Sequence, residues 1–299
     1  MTYKYKVETL SSQQLLCGEG PVWDNNKELL YWTESLGNSI YCFDQRENKT
    51  YLHYQGLTAA SLALHQNGGL VVSGKNGFSL LLPDKTIRTF KNVIDKIPVN
   101  NLNDIIADPL GRIFGGQEAF VEDKKYETGY LFRLNNNGEL KIVADDLHLS
   151  NGMGFSPDGL TFYLVDTIPG VIYQFDYNIT TGDIRNKKVL VQFDRAHGLP
   201  DGMTVDKEGF LWVAMFFGGK IIRLNPDGVI AGEIRLPCVQ PTSITFGGKN
   251  FNKLFITTAS LEWKTTYAPD GHNYGLPKGG SIYIIDTDFE GKKEFPANV

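Results

Sequence analysis

Short apolar runs alternate with polar turns along the chain, and one passage of this kind recurs six times. Each copy has an apolar run, a turn in which Asp or Asn stands near Gly, and a second apolar run; most copies close on a Gly-Xaa-Ile-Tyr-like run. The runs are rich in Val, Ile, Leu, Phe, Tyr and Trp and are bounded by Gly, Asn, Asp and Pro, which is typical of β-strands. The copies begin at Gly20, Ser61, Asp104, Gly152, Gly202 and Ser243.

The spacing of the copies, about forty to fifty residues, is that of a four-stranded propeller blade. We therefore predict an all-β, six-bladed β-propeller that forms a single domain over residues 1–299, with a metal site in its central channel. Residues 3–10 are also strand-like, and we expect them to pair with the region 281–286 and complete the last blade. The alternative is two stacked β-sandwiches, which do not normally repeat one turn sequence in register. The hairpin turns are predicted at Asn67-Gly68, Asn137-Gly138, Asp158-Gly159, Glu208-Gly209 and Asp227-Gly228.

The residues just before the six copies define a candidate site. In a propeller the first strand of each blade lies beside the channel, so these residues would form a ring at one mouth. Two carboxylates in a sheltered ring repel each other unless one is protonated or a cation lies between them. Oxygen-only ligation indicates Ca²⁺ first, with Mg²⁺, Mn²⁺ or Zn²⁺ also possible, although structural zinc sites call for Cys or His. The ring residues are Glu19, Ala60, Asn103, Asn151, Asp201 and Thr242.

The alternative for each Asn or Asp that precedes Gly is a simple turn residue. Other candidates also have two interpretations. His197 is a possible general base or a solvated loop residue, and Cys17 is expected to be a packed thiol. Trp263 lies in a long irregular segment of the last blade that either covers the channel mouth or decorates its rim. Three further tryptophans are expected to pack blade against blade: Trp23, Trp32 and Trp212.

Composition narrows the class of partner. The formal net charge is -5 and the basic residues are scattered, so we expect no nucleic-acid partner. No apolar run reaches membrane-spanning length, and the first residues lack the apolar core of a signal peptide. Three unclustered cysteines argue against a disulfide framework. We expect a cytoplasmic monomer that acts on a small molecule.

Several segments resemble the gluconolactonase, regucalcin and luciferin-regenerating-enzyme family of six-bladed propellers, and the resemblance covers almost the whole chain. It implies that Glu19, Asn151 and Asp201 ligate one divalent cation and that Asn103 lies beside it, near the substrate. It also implies hydrolysis of a lactone ring, with Asp201 as the general base. The segments are CGEGPVW from Cys17, NLND from Asn101, SNGMGFSPDG from Ser150 and LPDGMTVDKEGFLWVA from Leu199.

One segment departs from the family pattern. Many members read Arg-Xaa-Asn-Asp-Gly where this chain has Asn101 in place of the Arg and Ile105 in place of the Gly; GGQEAF follows at residues 115–120, where Gly-Thr-Met is common. We expect Asn101 and Asn103 to bind the substrate. Asn101 has a shorter, neutral reach than Arg, and Ile105 would add an apolar group nearby. The sequence therefore predicts weaker use of polyhydroxylated lactones than of less polar lactones or esters.

The leading hypothesis is a divalent-metal-dependent hydrolase that opens a lactone or a related ester. A second hypothesis is hydrolysis of phosphotriesters or fluorophosphates at the same site. A third, from another class, is a non-enzymatic calcium-binding protein, since propellers host many binding modules. The sequence leaves the physiological substrate and the preferred ion open.

Overall fold

The computed structural model describes residues 1–119 and 128–299. Within these ranges the chain forms twenty-six β-strands, one short 3-10 helix (Arg195–His197) and no α-helix. The strands are, in chain order, β1 (Glu8–Ser11), β2 (Gly18–Asp24), β3 (Leu29–Glu34), β4 (Ser39–Asp44), β5 (Lys49–Gln55), β6 (Leu62–Leu64), β7 (Leu70–Val72), β8 (Ser79–Leu81), β9 (Ile87–Thr89), β10 (Val93–Ile94), β11 (Ile97–Pro98), β12 (Leu102–Ala107), β13 (Ile113–Gln117), β14 (Gly129–Leu134), β15 (Leu140–Leu147), β16 (Ser150–Phe155), β17 (Thr161–Asp166), β18 (Val171–Tyr177), β19 (Ile184–Gln192), β20 (Leu199–Val205), β21 (Leu211–Phe216), β22 (Lys220–Leu224), β23 (Ile230–Arg235), β24 (Pro241–Gly247), β25 (Lys253–Thr258) and β26 (Ile282–Asp286).

Six antiparallel four-stranded sheets form the blades, which confirms the predicted six-bladed propeller. The first five blades are β2–β5, β6–β9, β12–β15, β16–β19 and β20–β23, and a small hairpin, β10–β11, lies between the second and third. The sixth has the order β1-β26-β25-β24, so its outer strand comes from the start of the chain. Glu8 pairs with Ile284 and Thr9 with Tyr283. The expected closure of the ring is confirmed, although the strand covers Glu8–Ser11 and so begins five residues later than the predicted segment 3–10.

Turn chemistry explains where the strands end. Gly68, Gly138, Gly159, Gly209 and Gly228 all have φ between 69° and 88°, a region in which a Cβ is disfavoured. Each follows Asn, Asp or Glu in a turn between two strands of one blade, as the sequence predicts.

The core consists of apolar layers between neighbouring blades. Trp23 of the first blade stacks on Phe255 of the sixth, with ring centroids 5.5 Å apart, and Trp212 of the fifth meets Phe246 of the sixth edge-on at 5.7 Å. Trp32 is fully buried in the same cluster as Phe255. Blade-to-blade packing of these tryptophans is thus confirmed, and each buried large side chain contributes about 1.5–3 kcal/mol.

The C-terminal strap, residues 290–299, crosses the end of the channel where the inner strands finish. The backbone N–H of Lys207 donates to Glu290 O at 2.9 Å, and that of Ala297 donates to Leu64 O at 2.7 Å. Glu294 and Phe295 of the strap line an internal cavity of about 60 Å³, whose other walls are formed by the inner strands of the blades. The described residues include no helix long and apolar enough to cross a membrane.

Candidate active site at the open mouth of the channel

The first strands of the six blades form the channel wall. Each contacts the first strand of the next blade, in the closed order β2, β6, β12, β16, β20, β24 and back to β2. Residues far apart in sequence therefore meet at the strand starts, as the repeat predicts.

Five of the six predicted ring residues line one cavity of about 380 Å³ at these strand starts: Glu19, Asn103, Asn151, Asp201 and Thr242. Ala60 is not among its described lining residues. The remaining described lining residues are Cys17, Ser35, Leu36, Glu118, Leu149, Thr167, Phe216, Leu261 and Trp263.

A register irregularity occurs at each polar ring position. The pairing of the first two strands shifts between Glu19 and Val22, and equivalent shifts fall between Leu102 and Ile105, Ser150 and Met153, and Pro200 and Met203. An irregularity of this kind re-aims a side chain that would otherwise alternate with its neighbours. It accounts for four of the six first strands presenting a polar side chain to the cavity.

The glycine after three ring residues has a packing role. A Cβ on Gly20 would lie 2.6 Å from Ser61 Cα, one on Gly152 would lie 2.3 Å from Met203 N, and one on Gly202 would lie 2.0 Å from Ser243 Oγ. Each contact is with the first strand of the following blade or, for Ser61, with the residue directly before that strand. These Asn-Gly and Asp-Gly pairs are therefore within strands, and the simple-turn interpretation does not apply to them.

A chain of hydrogen bonds fixes the two carboxamides. Asn103 Nδ2 donates to Asn151 Oδ1 at 2.9 Å and to Ser150 O at 2.9 Å. Asn151 Nδ2 donates to Thr167 Oγ1 at 2.8 Å, and Thr167 Oγ1 donates to Pro200 O at 2.8 Å, next to Asp201. With its amide nitrogen committed to Thr167, Asn151 presents its carbonyl oxygen to the ring.

Two buried carboxylates hold the segments that lead into Glu19 and Asn151. Glu34 accepts from the backbone N–H of Leu16 at 2.6 Å and of Cys17 at 3.0 Å. Asp166 plays the same part in the fourth blade, where it accepts from Leu149 N at 3.0 Å. Sequence reasoning missed both residues, although each ends the second strand of its blade directly opposite the residue before the ring position.

The electrostatics of the ring favour a bound cation. Glu19 and Asp201 are only 9% and 7% exposed. Burial raises the pKa of both carboxyls well above the usual range, and the charge of Asp201 raises that of Glu19 further. No Lys, Arg or His is among the described residues that line the cavity. When no basic side chain is nearby, a divalent ion between two buried carboxylates offsets their mutual repulsion most effectively.

The donor set fits a hard divalent cation. Glu19 and Asp201 supply two negative charges, and Asn151 supplies a neutral amide oxygen already oriented toward the ring. Within residues 1–119 and 128–299, no group of three or more His, Cys, Asp or Glu side chains is placed to hold a metal ion. That finding is compatible with the ring, because Asn103 and Asn151 contribute carboxamides, which are not among those four residue types.

Asp104 is a third buried carboxylate that sequence reasoning did not single out. It lines the internal cavity below the ring, and Ser61 hydrogen-bonds to its side chain. Burial raises the pKa of Asp104 to about 6, and its charge also raises the pKa of Glu19 and Asp201. The only sequence signal was its place directly after Asn103.

Neither Asn101 nor Ile105, the two residues of the third blade that depart from the family pattern, is among the described residues that line the 380 Å³ cavity. Asn101 is exposed and has φ 46°. Ile105 is 7% exposed and packs in the core with Phe78 and Val99, so it does not add an apolar group at the mouth, contrary to expectation. Phe120, the last residue of GGQEAF, lies outside the described residues.

Of the remaining candidates, Cys17 and Trp263 line the cavity, whereas His197 is not among the described lining residues. His197 lies on the 3-10 helix, and its Nδ1 is 3.3 Å from Lys220 Nζ. Cys17 lines the cavity, but burial and the nearby Glu19 raise the pKa of its thiol, which disfavours a nucleophilic thiolate. Leu261 and Trp263 line the cavity as well, so the long segment of the last blade covers part of the mouth.

A family model described as SMP-30/Gluconolactonase/LRE-like region matches residues 17–260. Regucalcin of Xenopus laevis is 31% identical over 295 residues, which covers 96% of this chain and 99% of regucalcin. Pentonolactonase XacC of Haloferax volcanii is 29% identical over 282 residues, which covers 94% of each protein. The solved structure of a luciferin-regenerating enzyme superimposes with a TM-score of 0.89 at 26% identity and covers 99% of this chain and 100% of that one.

Proposed function

The chain belongs to the SMP-30/gluconolactonase/LRE-like family, and from this premise we propose that it is a divalent-metal-dependent hydrolase of lactones or related esters. The observation that carries the proposal is the pair of buried carboxylates, Glu19 and Asp201, which face a cavity with no basic residue among its described lining. The relative named pentonolactonase supports the choice of lactone as the substrate class.

Glu19, Asn151 and Asp201 would hold one cation, with Ca²⁺ preferred over Mg²⁺, Mn²⁺ or Zn²⁺ because every donor is a hard oxygen. When bound, the cation supplies Lewis-acid polarisation of the substrate carbonyl. The buried network around Thr167 keeps Asn151 in place and so limits the reorganisation needed for binding.

Asp201 is the proposed general base. Asp201 lines the cavity beside the other ring residues, and its carboxylate can take a proton from the attacking water. Both hydrogens of Asn103 Nδ2 are committed to Ser150 O and Asn151 Oδ1, so its Oδ1 is left to accept a hydrogen bond from that water or from the substrate. Asn103 therefore has a proposed role in orienting the reactants, and Asn101 is kept as a proposed contact for substrate that extends over the rim.

The polar groups at the inner end of the cavity and the apolar wall near its mouth favour a substrate with an apolar portion. We expect simple lactones and apolar esters to be used better than polyhydroxylated lactones. The cytoplasmic location and the monomeric state remain predictions.

A turnover screen of the purified protein tests the proposal. The panel contains a simple lactone, a sugar lactone, an apolar ester and a phosphotriester, each with chelator and after Ca²⁺ is restored. Loss of lactone turnover with chelator and its return with Ca²⁺ is the expected result. Turnover of the phosphotriester alone would favour the second hypothesis. A calcium-dependent rise in melting temperature without turnover of any compound would overturn the enzymatic proposal and favour a calcium-binding protein.

A further inference from the structure

Glu118 is held rigidly between the third and fourth blades. It follows β13, its backbone N–H donates to Asn101 O at 2.8 Å, and it forms an antiparallel bridge with Leu149. The next residue, Ala119, donates to His148 O at 2.9 Å. The backbone that carries the Glu118 side chain is therefore fixed on both sides, and Glu118 lines the 380 Å³ cavity.

Glu118 lies about two strand residues further toward the mouth of the cavity than the ring residues, a position we call the outer level. Its two backbone partners, Asn101 and Leu149, each precede a ring carboxamide (Asn103 and Asn151) by two residues. Two residues of strand correspond to roughly 7 Å. A substrate whose reacting carbonyl lies at the ring would therefore extend its remaining part past Glu118.

Most of the cavity lining outside the ring is apolar. Leu36, Leu149 and Leu261 line the same cavity as Glu118, together with Phe216 and Trp263. Trp263 is supported from behind by Phe217, which stacks on it at 6.0 Å and 17°, and it meets Phe216 edge-on at 5.7 Å. A carboxylate among aromatic and aliphatic walls is the combination that recognises an organic cation.

Glu118 adds a negative charge to the upper cavity beyond the two that one divalent cation would balance. One divalent ion balances Glu19 and Asp201. In the described part of the chain no Lys or Arg pairs with Glu118, and none lines the cavity. Although Glu118 is exposed, desolvation by the surrounding protein raises the pKa of its carboxyl above the usual value.

We propose that Glu118 is a specificity-determining residue, whose carboxylate favours substrates with an apolar body that carries a positive charge and disfavours anionic ones. This inference rests on the proposed hydrolase function and adds the substrate class to it: amine-bearing lactones or esters ahead of neutral ones, and neutral ones ahead of carboxylate-bearing ones. Its physical basis is the attraction between Glu118 and a cation at the outer level of the cavity.

The test compares three esters that share one apolar body and differ only in an ammonium, a neutral or a carboxylate substituent. With Ca²⁺ bound, the wild type should show kcat/KM in the order ammonium, neutral, carboxylate. Glu118→Gln should reduce the ammonium-to-neutral ratio about five- to tenfold, the lower range for a hydrogen bond to a charged group at a partly exposed site. It should leave the neutral ester within about twofold, and Glu118→Lys should reverse the order.

Glu262→Gln is the matched control, since Glu262 is an exposed carboxylate beside Trp263 that does not line the cavity. It should leave all three ratios unchanged. Unchanged ratios in Glu118→Gln, or an equal effect of Glu262→Gln, would overturn the inference. A tenfold loss of Ca²⁺ affinity in Glu118→Gln would also overturn it, because Glu118 would then be acting as a metal ligand.

Binding separates this inference from the proposed function. If the wild type with Ca²⁺ hydrolyses none of the esters, calorimetric titration with the matched, uncleavable ammonium and carboxylate amides still reports the preference. Tighter binding of the ammonium amide that Glu118→Gln abolishes would support Glu118 as the selector in a protein that is not an esterase. Equal binding of both amides to the wild type would contradict it.

Discussion

At the scale of single residues, the chemistry of the site depends on side chains whose orientation the backbone imposes. The residue types at positions 19, 103, 151 and 201 and their shared place in the repeat were enough to predict that they line one cavity. The supporting residues Glu34, Asp166 and Asp104 could not be predicted, because their roles come from cross-strand register and from the position of the internal cavity. The core position of Ile105 could not be predicted either, because it depends on the register irregularity beside Asn103.

The charge balance of the ring gives a prediction for Asp201→Ala. The variant leaves Glu19 as the only charged ligand, so Ca²⁺ affinity should fall by several orders of magnitude, roughly 10³-fold, since affinity follows the charge count of the ligands. Asn103→Ala should weaken binding only about tenfold, because Asn103 supports Asn151 and is not itself a proposed ligand. Calorimetry measures both. An affinity unchanged by Asp201→Ala would contradict the proposed ligand set.

The buried Asp104 predicts how the metal-free protein responds to pH. A carboxyl with a raised pKa in the folded state contributes stability below its ordinary pKa, and that contribution is lost as the pH rises through the folded value. The melting temperature should therefore fall between pH 3.8, the ordinary value, and about 6, the folded value of Asp104. Asp104→Asn should flatten this decline, whereas Asp270→Asn, an exposed control, should not. A melting temperature that rises over this window would contradict the assignment.

At the scale of strands, neighbouring blades meet so closely along the channel that only glycine fits after three ring residues. The sequence showed these glycines but indicated turns as an alternative, since turn and close-packed glycines look alike without a partner strand. The hairpin glycines were placed correctly because an Asn-Gly or Asp-Gly pair between apolar runs has a local cause.

Gly152→Ala tests the close approach of two strands. Its Cβ would lie 2.3 Å from the backbone N of Met203, and neither strand can move without disturbing the channel. We expect a loss of about 2–3 kcal/mol in the free energy of unfolding, measured by chemical denaturation. Gly275→Ala is the control: its nearest neighbour is the Asn273 side chain at 3.1 Å, and the change should stay within about 0.5 kcal/mol. Equal effects in both variants would count against the packing role.

At the scale of the whole molecule, the first residues close the ring. The fold was predictable because one arrangement accounts for both the sixfold repeat and the strand-like start. In this arrangement the blades form a circle, and the first strand of the chain completes the last sheet. Tyr3, Tyr5 and Val7 pack against the core cluster of the fifth and sixth blades, and β1 covers the edge of β26.

Deletion of residues 1–11 should therefore lower the melting temperature by more than about 10 °C, from lost apolar burial alone, and should promote aggregation through the exposed edge of β26. Thermal denaturation with light scattering measures both effects. The double variant Lys4→Ala, Lys6→Ala alters the same segment at exposed positions and should melt like the wild type. A deletion variant that melts unchanged would show that the ring does not depend on this closure.

The C-terminal strap covers one end of the channel, so that the described part of the channel is a pocket and not an open tunnel. Phe295 and Glu294 lie at the bottom, and the ring residues lie at the level where the wide upper cavity begins. Because the strap covers the other end of the channel in the described part of the chain, a molecule that reaches the ring is expected to leave through the mouth by which it entered. Product and incoming substrate then compete for the same passage, so product inhibition should be competitive. The size of the side chains that line the cavity, Leu36 and Trp263 among them, would influence release as much as capture.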